Sequence, residues 1–237
     1  LRFVGHDEVV EYVTANPVSA VLSAAPHGVS AAMIDKLLGA AEQAGTRPRV
    51  VDISADFRYP TASAYEAVYK HAHGAPERLA QFTCAVPEHL NALHTAHVAH
   101  PGCFATAILL ASVPLLSLGL VEPRLFVTGI TGSTGSGRQP TAGTHHPQRH
   151  SDLYAYNALA HRHAPEVAAL ARAATGVEAQ FNFVPHSGPF ARGIHVTVQA
   201  VARAPITSHE LVHALRDYYD QSVFVRVGGD APRVKDV

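Results

Sequence analysis

The chain has 237 residues, of which 47% are hydrophobic and only 16% charged, so it carries apolar material for one large core or two modest ones and too little charge for disorder. Lys and Arg number 18 against 19 Asp and Glu, a formal net charge of −1, which gives no electrostatic reason to expect nucleic acid or an anionic membrane as partner. Two cysteines make no disulfide framework, no leader opens the sequence and no long apolar run crosses it, so it reads as a globular cytoplasmic protein acting on a small molecule.

Val18 to Ala25 is a short apolar run ending in Pro26-His27-Gly28, a buried strand entering a loop. From Val29 to Ala44 helix formers dominate, with Gly45 as a C-terminal stop, and Arg49 to Ser54 is a second buried strand. Strand, helix and strand in this order predict a parallel βαβ unit. Further strands at Phe82 to Val86 and near Val98 lead into Pro101-Gly102-Cys103. The stretch from Phe104 to Leu118 is rich in Ala and Leu and reads as a helix that Pro114 must kink or end early. A thiol therefore stands at a strand-to-helix turn, and the pattern places a domain boundary there, giving domains 1–102 and 103–237.

Beyond it, Leu125 to Thr131 is strand-like, and Gly132 to Ser151 is a long Gly, Ser, Thr, Pro and His segment with no expected structure of its own, the mark of a functional or disordered loop. A helix is expected at Pro165 to Ala174, strands at Ala179 to Val184 and Ile194 to Val201, and a helix at Ser208 to Tyr219. Elements grouped this way suggest a second, α+β domain.

Cys103 opens a helix, where free backbone N–H groups and the helix dipole favour negative charge, as a sulfur nucleophile and the oxyanion it creates both require. The competing reading is a small apolar Cys buried under the turn. Cys84, inside an apolar strand, reads as inert. His161-Arg162-His163 sets two imidazoles and a guanidinium just before a helix, where one imidazole can serve as general acid and base. A metal is disfavoured: the 17 histidines are scattered, and no Cys or carboxylate set stands at ligand spacing near His161. Gly132 to Arg138 is a Gly-rich loop after a strand, a layout in which backbone amides and an Arg bind an anion, although it lacks the Lys and spacing of a P-loop. Arg192-Gly193 reads as a phosphate or carboxylate clamp, or as a surface turn.

Ala25 to Gly28, Val51 to Arg58, Val86 to Glu88, Pro101 to Ala107, Gly132 to Arg138, His161 to Glu166 and Arg192 to Ile194, taken in order, resemble the N-acetyl-γ-glutamyl-phosphate reductase family of arginine biosynthesis. The resemblance implies an α/β fold: a Rossmann-type NADP-binding domain, here truncated at its N-terminus, joined to an α+β catalytic domain of the glyceraldehyde-phosphate-dehydrogenase type that is truncated at its C-terminus. It implies Cys103 as nucleophile and His161 as acid and base. Ser133, Arg138, Arg162, His163 and Arg192 would bind the acyl phosphate, and Pro26, His27, Gly28 and Ser54 the NADP(H). It also implies a homo-oligomer.

Thr144-His-His-Pro-Gln-Arg149 resembles a loop of the related lysine-biosynthesis reductases, which take an aminoadipyl phosphate attached to a carrier protein. That substrate is the alternative, as is an inactive fragment or paralogue, because the Gly-rich turn of the dinucleotide fingerprint is missing.

Overall fold

A computed structural model describes residues 3–137 and 139–236, which form two compact units. One runs to Val86 and takes in Leu90–Gly102; the other comprises Pro87–His89 and the chain from Cys103 onward.

In the first unit, α1 (His6–Ala15), β1 (Ala20–Ser23), α2 (Ser30–Gln43), β2 (Arg49–Asp52), α3 (Ala62–Tyr69), β3 (Phe82–Cys84) and β4 (His97–Ala99) follow one another. The four strands form a parallel sheet in the order β1-β2-β4-β3, with Ala20 opposite Arg49 and Ser23 opposite Asp52. Helix α2 buries Ile34, Leu37, Leu38 and Ala41, the i, i+3, i+4, i+7 stripe of an amphipathic helix, in a core shared with Val50, Phe57, Leu79 and Phe82. Phe57 stacks on Phe82 at a ring separation of 3.9 Å.

Two buried carboxylates shape the carboxyl end of this sheet. Asp52 accepts from the hydroxyls of Ser30 (2.7 Å) and Ser54 (2.5 Å), which tie the end of β2 to the start of α2. Asp56 accepts from the backbone amides of Gly28 (2.7 Å) and Ala31 (3.0 Å) and from the Tyr65 hydroxyl (3.1 Å). The first-turn donors of α2 are thereby partly filled by the protein's own carboxylate.

The second unit contains α4 (Cys103–Ser117), β5 (Val121–Thr131), α5 (His146–Arg149), β6 (Tyr154–Ala155), α6 (His163–Thr175), β7 (Gln180–Ser187), β8 (Ile194–Ala202) and α7 (Ser208–Tyr218). The sheet order is β6-β7-β5-β8; β7 runs parallel to β5, while β8 is antiparallel to β5 and β6 to β7. Helices α4 and α6 pack on each other and on this sheet. Alternation along β5 turns Leu125, Val127 and Gly129 to the buried side and leaves Glu122, Arg124, Phe126 and Thr128 exposed.

Pro114 neither ends nor interrupts α4, which continues to Ser117. A proline at this position has no N–H for the Leu110 carbonyl, and the Tyr219 hydroxyl supplies the missing donor at 2.7 Å. His89 in turn sits 2.9 Å from the same hydroxyl, and burial pushes its imidazole down to about 4, so it stands there as a neutral ring. The segment from Gly132 to Ser151 also departs from expectation, because it folds into short 3₁₀ turns at Ser133–Ser136 and Ala142–Thr144 and into α5. Among the described residues no helix is long and apolar enough to cross a membrane.

Candidate active site

Cys103 is the first residue of α4 and is exposed, which removes the reading of a thiol buried under the turn. Phe104 beside it is 2% exposed and meets Phe183 edge-on at 5.1 Å, His161 at 6.0 Å and His163 at 6.4 Å. The helix start that presents the thiol is thus seated on a nest of rings.

That seat depends on Gly129 of β5. A Cβ there would run into the Phe104 ring and stand 3.0 Å from Phe183. Both rings are buried and have nowhere to swing. Gly129→Ala is therefore expected to lower stability by about 1–3 kcal/mol, the usual cost of overpacking a core, read as a shifted denaturant midpoint. An unchanged midpoint would mean that the rings have slack.

His161 is 8% exposed, and its Nδ1 accepts from the backbone N–H of His163 at 3.2 Å. With Nδ1 committed as acceptor, the neutral ring carries its proton on Nε2. Burial, aided by the adjacent Arg162 charge, pushes this imidazole down to about 4. Its ring meets His163 at 4.8 Å and Tyr156 at 5.6 Å. His163, 5% exposed, begins α6, and Glu166, three residues on, is 1% exposed.

Tyr156 is a residue that sequence reasoning passed over. Strand β6 delivers it, and its N–H donates to the Pro185 carbonyl at 3.0 Å. Burial, and after it the charge of Cys103, holds its phenol above the usual range. Cys103, Tyr156 and His161 thus share one electrostatic neighbourhood. The only sequence signal was an aromatic five residues before His161, beside a strand too short to show alternation.

The Gly-rich loop is stitched to the segment before β8: Gly132 N donates to Gly193 O, Ser133 N to Phe190 O and Thr134 N to Ala191 O, each at 3.0 Å. Gly132 permits this approach, since a Cβ would stand 2.7 Å from the Arg192 nitrogen. Half-buried Ser133 and exposed Arg192 are so brought onto neighbouring segments, while Arg162 is exposed at the start of α6. Arg138 lies outside the described residues.

In the first unit Pro26, His27 and Gly28 are exposed in the loop after β1, and His27 Nδ1 accepts from Ala55 N at 2.9 Å. Ser54, expected to face a cofactor, is instead 1% exposed, and both its hydroxyl and its amide turn inward to Asp52. Among the described residues no group of three or more His, Cys, Asp or Glu side chains could hold a metal.

Residues 103–237 match the family described as semialdehyde dehydrogenase, dimerisation domain. Among curated proteins, an N-acetyl-gamma-glutamyl-phosphate reductase of Dehalococcoides mccartyi is 35% identical over 221 residues, covering 92% of this chain and 63% of that protein. Another of the same name from Methanopyrus kandleri is 36% identical, with 90% of this chain and 61% of that protein covered. The chain thus spans less than two thirds of the length of these relatives. Among solved structures, an aspartate semialdehyde dehydrogenase II of Vibrio cholerae superposes with a TM-score of 0.60 at 17% identity, over 91% of this chain and 64% of that one.

Proposed function

The chain belongs to the semialdehyde dehydrogenase family through its dimerisation domain, and on that premise we propose that it is the catalytic part of an NADPH-dependent N-acetyl-γ-glutamyl-phosphate reductase working through a thioester on Cys103. The observation that carries the reading is an exposed thiol at the first residue of α4, backed by a ring cluster that holds a buried His161 in a fixed tautomer. The curated relatives that bear this name support the substrate.

The chemistry follows from these groups. Cys103 sulfur attacks the acyl phosphate carbonyl, a C–S bond forms, the C–O bond to phosphate breaks, and phosphate departs, leaving a thioester. Amides at the start of α4 are placed to hold the oxyanion of that step. NADPH, when bound, would supply the hydride that reduces the thioester. His161 Nε2–H hydrogen-bonds the carbonyl oxygen as it gains charge, and the resulting oxyanion collapses as the C–S bond breaks, releasing the aldehyde and the Cys103 thiolate. Tyr156 walls the same space. Ser133, Arg138, Arg162, His163 and Arg192 serve the anionic ends of the substrate.

The first unit fits the cofactor in part. A dinucleotide lies outside the carboxyl ends of parallel strands, where the exposed Pro26-His27-Gly28 loop stands. Ser54 supports that edge from within, through Asp52. In the second unit, Phe126 (50% exposed) and Val201 (66% exposed) lie on the sheet face turned away from the buried side of β5. That face suits a second copy of the chain, in keeping with a homo-oligomer.

The test is direct. Full-length protein with NADPH and N-acetyl-γ-glutamyl phosphate should oxidise the cofactor and release phosphate in equal amounts. No oxidation with this substrate, but turnover of aminoadipyl phosphate on a carrier protein, would move the enzyme to the other pathway.

A further inference from the structure

Arg149, at the end of α5, is 7% exposed, and its guanidinium is among the most buried cations of the second unit. Its Nη1 donates to Ser187 Oγ at 2.6 Å and to the Gly143 carbonyl at 3.5 Å, and its Nη2 to the Gly188 carbonyl. All three acceptors are uncharged. The Nε is buried with no partner, and among the described residues no carboxylate pairs with this arginine.

A buried cation without a counter-charge is costly, and such groups are retained where something else supplies the anion. The surroundings say what. Ser187 and Gly188 close β7, where Gly188 N donates to Thr131 O at the end of β5, immediately before the Gly132–Ser133 loop. Ser187 also pairs with Tyr154, two residues before Tyr156. Three loops therefore meet at this arginine: one carries Ser133, one leads to Arg192, and one delivers Tyr156.

We propose that Arg149 is a specificity-determining residue whose buried, carboxylate-free charge is the standing counter-charge for an oxyanion of the substrate held by these loops. It acts through its field and through the loops it pins, without reacting. The inference rests on the acyl-phosphate reading only in taking the oxyanion to belong to the substrate, either its phosphoryl group or a carboxylate.

The experiment measures binding of inorganic phosphate and, separately, of N-acetylglutamate to the full-length protein by calorimetry, for wild type, Arg149→Lys and Arg149→Gln, alongside KM and kcat for the acyl phosphate. A unit charge at short range in a protein is worth enough to move affinity about tenfold. Arg149→Gln should weaken one of the two anions by about that factor and raise KM more than it lowers kcat, while Arg149→Lys stays within about threefold of wild type. The anion that responds identifies the substrate end concerned. Wild-type affinity for both anions in Arg149→Gln, or a fall in kcat with KM unchanged, overturns the proposal. Should Arg149→Gln not fold, Arg149→Lys decides: retained affinity supports a charge, and a tenfold loss with an unchanged melting temperature leaves only a hydrogen-bonding clamp and overturns it. Arg149-dependent phosphate binding without thioester formation would sink the reductase reading alone, and thioester formation with Arg149-independent binding would sink this proposal alone.

Discussion

Cys103→Ser should reduce turnover of the acyl phosphate by on the order of 10⁴-fold or more, because a nucleophile and the groups around it act as a unit and little catalysis survives its loss. The fold should not suffer. Cys103 is exposed, its side chain fills no part of the core, and surface changes of this kind stay within about 0.5 kcal/mol. Denaturant midpoints of variant and wild type should therefore coincide. Wild type mixed with acyl phosphate in the absence of NADPH should gain one acyl mass on the peptide that contains Cys103, and the variant none. Normal turnover by the variant, or acylation on another residue, removes the mechanism.

Replacing His161 should cost about 10²- to 10³-fold in kcat, the range for a donor aimed at a developing oxyanion. The more discriminating readout is pH. With its imidazole pushed by burial from the ordinary 6.5 down to about 4, His161 is neutral around pH 7, and acidification towards about 4 charges it. Activity of the wild type should thus show no limb at 6.5 that disappears in His161→Asn, and any loss due to this ring should begin on the acid side of about pH 5. A limb near 6.5 abolished by the substitution would show that the ring charges in the working range, contrary to its burial and to the proton fixed on Nε2.

Much of the fold was legible because its signals are local and strong. The apolar runs of β1, β2 and β3 and the Ala and Leu richness of α4 all fall where the sequence places them. What escaped has physical causes. Helix α3 buries only Tyr65, so it shows no apolar stripe. Strand β5 begins at Val121, before the Glu122-Pro123-Arg124 stretch that looks like a turn, because the register shifts between Val121 and Leu125 and spares Pro123 a ladder bond. At the candidate site, the helix start at Cys103 is a pattern in one segment. Tyr156 comes near it by way of strand pairing, and Arg149 is tied to the end of β7 by a buried hydrogen bond, links that no window of sequence displays. Ser54, which the family resemblance assigns to the cofactor, has its hydroxyl on a buried carboxylate two residues away, a pairing that only the fold reveals.

The hydroxyl of Tyr219 on the carbonyl that Pro114 leaves unserved couples two positions more than 100 residues apart in sequence. A chain that regained an N–H at 114 would no longer need the tyrosine, and one that lost the tyrosine would expose a carbonyl that only proline had orphaned. The two positions are thus expected to change together during descent, with each ancestral state tolerating substitutions that the other forbids.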